Sequence, residues 1–174
     1  MYFYEAKFVP TEEELVILET PLSGEFPWFY TERIDHSNYA LFNHFLIAMR
    51  KDNGNSPGIF RSPYAESFLK IFEKFCKVNG IKYNQVLRSA INCTLHYNDK
   101  MGPIHRDHSI PHCNFIMYLN EFTNGPTYIF DEDKKECKMT IPEKYKGVVF
   151  DGVYHSHGFC APHERRVVLV VTFV

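Results

Sequence analysis

The stretch GPIHRDHSIPH, residues 102–112, places His105 and Asp107 two positions apart. On an extended segment side chains alternate between faces, so this imidazole and this carboxylate point to the same side and can share one cation. A third ligand must then come from a distant part of the chain. The candidates lie in FDGVYHSHGFCAPHERRVVLVVTF, residues 150–173, at His155 or His157. Two histidines and one carboxylate on one face of a metal suit Fe(II) and leave coordination positions open for other ligands. The pair His105/Asp107 carries little weight alone, because nine histidines and 21 acidic residues bring such neighbours together by chance.

These side chains need a scaffold. From Leu87 onward, short runs rich in β-branched and aromatic residues follow one another: LRSAINCTLHY, HCNFIMYLN, PTYIF, KGVVFD and RRVVLVVTFV. Turn residues separate them, at Asn98-Asp99, Asn124-Gly125-Pro126, Asp151-Gly152 and Ala161-Pro162. Closely spaced short strands predict a sandwich or small barrel.

Ahead of them the reading is helix and loop. TEEELVIL (11–18) predicts a short helix capped by Thr11, and FPWFYTERI (26–34) an extended aromatic segment. SNYALFNHFLIAMRK (37–51) predicts a helix capped by Ser37, with Leu41, Phe45, Ala48 and Met49 at helical spacing. SPYAESFLKIFEKFCKVNG (62–80) gives the clearest helix, with Ser62 and Pro63 at its start and Gly80 at its end. The expectation is a single α+β, mainly β domain over 1–174. Residues 1–85 form mainly helical support packed on one sheet, and 86–174 form the β core.

A chain of 174 residues that is 45% hydrophobic can bury a sizeable core. The net charge of −2, with no dense Lys/Arg block, argues against a nucleic-acid partner. Five cysteines without a C-x-x-C pair argue against a disulfide framework and for a reducing cytoplasm. No apolar run of about 20 residues is present, so no membrane span is expected.

The order of the fragments around His105 resembles the 2-oxoglutarate- and Fe(II)-dependent oxygenases, especially the prolyl-hydroxylase-like branch and small stand-alone members from bacteria and phages. A strand ending in Tyr97 leads through a turn to His105 and Asp107 in CTLHYNDKMGPIHRD. FIMYLN (115–120), NGPTYIF (124–130), GVVFD (147–151), a histidine at 155 or 157, and an arginine in RRVVLVVTF follow in sequence. The resemblance spans about residues 86–174.

It implies a double-stranded β-helix, a cupin-like jelly roll. It also implies Fe(II) held by His105, Asp107 and a distal histidine, with 2-oxoglutarate as cosubstrate and O₂ as oxidant. His157, nine residues before Arg166, is the favoured distal ligand and His155 the alternative. Arg165 and Arg166 face opposite sides of a strand. Arg166, in phase with Val168, Val170 and Thr172, is the residue expected to grip the far carboxylate of 2-oxoglutarate, with Arg165 solvated or paired with Glu164. Tyr97 and Tyr118 match tyrosines whose hydroxyls reach 2-oxoglutarate, although both also suit a plain core. Thr127 is expected to line the same pocket, and Asn92 to face the cavity.

The implied activity is a dioxygenase that hydroxylates a protein side chain or a small molecule while 2-oxoglutarate becomes succinate. The rival reading keeps the barrel as a cupin-like metal-binding protein, an isomerase or sensor, without 2-oxoglutarate. Such a protein needs no buried cation, so Arg166 separates the two.

Overall fold

The computed structural model describes residues 1–32, 40–52, 54–97 and 101–174. In chain order the elements are β1 (Phe3–Lys7), α1 (Glu12–Glu19), β2 (Phe29–Thr31), β3 (Leu41–Ala48), β4 (Ile59–Phe60) and α2 (Ala65–Val78). Then come β5 (Val86–Leu95), β6 (Cys113–Tyr118), β7 (Thr127–Phe130), β8 (Glu136–Thr140), β9 (Lys146–Asp151), β10 (His155–His157) and β11 (Arg165–Phe173). A large sheet runs β1-β9-β6-β11-β5-β3-β2, with β4 added to β3, and a small sheet runs β10-β7-β8. All the pairings are antiparallel. This is the mainly β jelly-roll arrangement the sequence predicts.

The central strands β6 and β11 of the large sheet are buried on both faces, and strand alternation divides their side chains. On β11, Val167, Leu169, Val171 and Phe173 join the core under α2, whereas Val168 and Val170 face the second core between the sheets. On β6, Phe115 and Met117 take the helix side, and Ile116 and Tyr118 the inner side. Helix α2 lays Phe68, Ile71, Phe72, Phe75 and Cys76 onto the outer face. Its Phe72 and Phe75 rings sit 5.3 and 4.9 Å from Phe115. Burial of such side chains contributes roughly 1.5–3 kcal/mol each.

Local signals fix the helix ends. In α1, Thr11 Oγ1 accepts from the Glu14 amide at 3.3 Å, and the Glu14 carboxylate accepts from the Thr11 amide at 2.7 Å, forming a capping box. Helix α2 closes with the Gly80 amide on the Lys77 carbonyl and the Ile81 amide on the Cys76 carbonyl. Gly80 takes φ +66° there, which completes a Schellman motif. At the start of α2, Ser62 Oγ accepts from the Tyr64 amide, and the helix proper begins at Ala65.

The N-terminal half departs from the expectation of mainly helical support, because its described residues contribute strands β1 to β4 beside helices α1 and α2. The predicted helix over 37–51 is strand β3 where described; Ser37, its expected cap, lies outside the described residues. A bulge between Phe45 and Ile47 interrupts the pairing of β3 with β5. It leaves burial in pairs, Asn43-His44 and Leu46-Ile47, with Phe45 exposed between them. Paired apolar positions separated by a gap imitate helical periodicity. The Asn98-Asp99 turn also lies outside the described residues. Among the described residues no helix is long and apolar enough to cross a membrane.

Candidate metal centre

His105 and His155 are clamped side by side by their backbones. The His105 amide donates to the His155 carbonyl at 3.0 Å, and the His155 amide to the His105 carbonyl at 2.8 Å. On its other edge β10 pairs with β7, His155 opposite Ile129 and His157 opposite Thr127. The two rings lie 4.5 Å apart between centroids. His105 Nδ1–H donates to the Pro103 carbonyl at 3.1 Å, and His155 Nδ1–H to the Val153 carbonyl at 3.0 Å. Both second nitrogens, Nε2, are thereby left as lone-pair donors.

Asp107 completes the group. Its Oδ2 lies 3.5 Å from His155 Nε2, and its side chain is only 6% exposed. Burial alone would raise its carboxyl pKa. The Arg88 guanidinium, followed by His155, His105 and His108, outweighs burial and holds it below the usual carboxylate range. Burial pushes His155 down to about 4, so near neutral pH it is an uncharged imidazole. Among the described residues His105, Asp107 and His155 bring one ligand atom each to within 4.8 Å of one another.

Of the two candidate distal histidines, the structure brings the alternative, His155, and not the favoured His157, into the group with His105 and Asp107. His157 shares its strand face but sits two residues on, about 6–7 Å along a strand. Its carbonyl accepts from the Gly102 amide at 2.8 Å, and its ring meets Phe159 edge-on at 5.6 Å. Burial, reinforced by the Arg166 charge, pushes its pKa well below the usual histidine range.

The trio opens on a cavity of about 400 Å³ that also contains His157, Thr127 and Arg166. Arg166 is 3% exposed. Its Nε donates to the Gly125 carbonyl at 3.1 Å and its Nη2 to Thr127 Oγ1 at 3.0 Å. Thr127 Oγ1 lies 2.8 Å from the Tyr118 hydroxyl, and the guanidinium lies 5.5 Å from the Tyr118 ring centre. Gly125 at φ +66° makes the turn that presents its carbonyl to Arg166.

No known family model matches this chain, and no curated protein matches it in sequence. Solved structures do match. An oxidoreductase of the 2OG-Fe(II) oxygenase family from Burkholderia pseudomallei superposes with a TM-score of 0.69 at 14% identity, over 93% of this chain and 79% of that one. A prolyl-4-hydroxylase from Pseudomonas putida gives 0.58 at 13% identity, over 98% and 91%. A prolyl hydroxylase from Trichoplax adhaerens, in complex with a hypoxia inducible factor peptide fragment, gives 0.63 at 11% identity, over 98% and 82%. The fold is that of the 2OG-Fe(II) oxygenases.

Within this oxygenase fold, the donor set fits ferrous iron on its own chemistry. Two imidazoles with tied Nδ1 atoms and one carboxylate held below its usual pKa range converge at the wall of a cavity. The structure also gathers Arg166, Thr127 and Tyr118 into one hydrogen-bonded set. Tyr97, 38% exposed, lies with its ring 5.8 Å from that of Phe159, outside the cavity lining. Arg165 is half-buried, and its Nη2 donates to the Leu22 carbonyl at 2.6 Å. Glu164 accepts from Thr123.

Asn92 lines the cavity from β5, beside a residue the sequence reading passes over: Arg88. Arg88 shares its strand phase with Ala90, Asn92 and Thr94, and that alternation was the available signal. Strands β2 and β3 add Thr31, Leu41, Asn43 and Phe45 to the lining, from the half of the chain expected to serve as support. His96 and His44 have structural duties. His96 Nδ1 pairs with the Cys160 carbonyl, and His44 bridges the Pro27 carbonyl and Ser62 Oγ.

Proposed function

We propose that this protein is an Fe(II)- and 2-oxoglutarate-dependent dioxygenase that hydroxylates a C–H bond of a protein side chain or small molecule. The observation that carries this reading is the convergence of His105, Asp107 and His155 on a cavity that also holds the buried guanidinium of Arg166. When bound, Fe(II) with O₂ supplies the oxidation that converts 2-oxoglutarate to succinate and CO₂ and inserts oxygen into the substrate.

The chain's own residues supply position, charge and dryness. His105, His155 and Asp107 would hold the metal, the two histidines through Nε2. Arg166, steadied by Gly125 and Thr127, offers charge-assisted hydrogen bonds to the far carboxylate of the cosubstrate, and the Thr127 and Tyr118 hydroxyls extend that polar end. Ile116, Val168 and Val170 make the intervening wall apolar and exclude water. Thr31, Leu41, Asn43 and Phe45 remain for the substrate. The protein-bound peptide seen with the Trichoplax adhaerens enzyme makes a polypeptide substrate reasonable, and the cavity also admits a small molecule.

The test is an anaerobic titration with Fe(II) and 2-oxoglutarate, followed by the weak visible charge-transfer absorption of the chelate. H105A is expected to abolish the band. R166A is expected to weaken 2-oxoglutarate binding while metal affinity persists. A chain that binds iron tightly yet ignores 2-oxoglutarate is instead the cupin-like metal protein, and the proposal fails.

A further inference from the structure

The second oxygen of Asp107 has its own partner. While Oδ2 faces His155 Nε2, Oδ1 accepts a 2.8 Å hydrogen bond from Arg88 Nη2. Arg88 Nε is buried and finds no hydrogen-bond partner among the described residues, so the bond to Asp107 is the polar contact found for this head group. The next residue, His108, is held by its Nε2 at 2.8 Å from Thr172 Oγ1. Arg88 and Thr172 are direct cross-strand partners of β5 and β11. The Asp107-His108 pair is thus pinned by two adjacent positions of the sheet floor, one side chain to each.

We infer that Arg88 is a positioning residue that restricts Asp107 to ligation through a single oxygen. The inference rests on the metal-centre reading above and adds a function for a residue that reading does not use. A carboxylate can bind a cation through one oxygen or both. Binding through both would occupy a coordination position that the open face needs. A guanidinium already bonded to Oδ1 competes with the metal for that oxygen. It also draws charge from the carboxylate, fixes its rotamer and keeps Oδ2 aimed at the histidines. Lysine would retain the charge but not the planar, directed donors.

The experiment uses Co(II) as an oxygen-stable probe on the full chain, read by visible absorption, followed by 2-oxoglutarate titration of the Co(II)-loaded protein. R88Q and R88K are compared with wild type, and metal-free melting curves establish that each is folded. R88Q is expected to bind Co(II) about 10–100-fold more weakly. It should change the shape of the Co(II) spectrum and lose affinity for 2-oxoglutarate at saturating Co(II). R88K, which keeps the charge with little change in bulk, should recover part of the metal affinity but not the wild-type spectrum. An R88Q protein with wild-type affinity and an unchanged spectrum overturns the role of Arg88 and leaves the proposed function standing. A wild-type chain that does not bind Co(II) overturns the metal-centre reading itself.

Discussion

Residues 155 and 157 pose the sharpest question at the scale of single side chains. Both are histidines, both point to one strand face, and both stand at a workable distance before Arg166. Parity cannot separate them. The decision lies in a non-local register: the backbone of His155, not His157, exchanges two hydrogen bonds with His105. A chain read linearly does not contain that register, whereas the His105/Asp107 pair and the phase of Arg166 on β11 were legible because they are local. Arg88 shares the strand phase of Asn92, which the family resemblance points to, but its partner Asp107 is 19 residues away. The expected outcome is asymmetric. H155A should weaken Mn(II) or Co(II) binding by more than about 100-fold, beyond the loss typical of residues that only orient ligands. H157Q should stay within about 10-fold. Isothermal titration checks both; equal losses would return His157 to the ligand set.

At the scale of elements, the clearest sequence signals were those written in neighbouring residues. The capping box of α1 and the glycine stop of α2 fall where the pattern puts them. Strand β3 was hidden, because its bulge converts a period of two into paired buried positions. Strand β1 gave no signal at all: its five residues pair with β9 across 139 to 147 positions of sequence. The seat of α2 on the sheet yields a test. Gly147 lies on β9 where an added Cβ would collide with the rings of Phe75 and Phe115, both fully buried. Those rings are locked among other aromatic side chains and have little room to yield. G147A should therefore destabilise the fold by about 1–3 kcal/mol through overpacking. Removing the ring instead, in F75A, should cost about 3–5 kcal/mol through a cavity. Chemical denaturation separates the two from wild type; a neutral G147A would mean that α2 rides more loosely than its packing implies.

The whole molecule couples stability to its ligands. Two sheets enclose polar and charged groups that the fold must bury: His155, Thr127 and Arg166 on one cavity, with the side chain of Asp107 beside them. Desolvating such groups is unfavourable unless each has a partner, and the buried carboxylate of Asp107 takes its hydrogen bond from Arg88. A cation bound between His105, Asp107 and His155 adds its binding energy only to the folded chain, since in the unfolded chain these residues lie up to 50 positions apart. At a concentration 100 times its dissociation constant the gain is about 2.7 kcal/mol. For a chain of this length that corresponds to a rise in melting temperature of roughly 5–11 °C. Mn(II) serves as a redox-inert probe in a thermal scan. 2-Oxoglutarate alone should shift the transition little, and Mn(II) with 2-oxoglutarate should shift it by more than the sum of the separate effects. The excess should disappear in R166A, which keeps the metal trio but lacks the cation for the far carboxylate. Additive shifts, or an excess that survives in R166A, would place the dicarboxylate somewhere other than the cavity shared by the trio and Arg166.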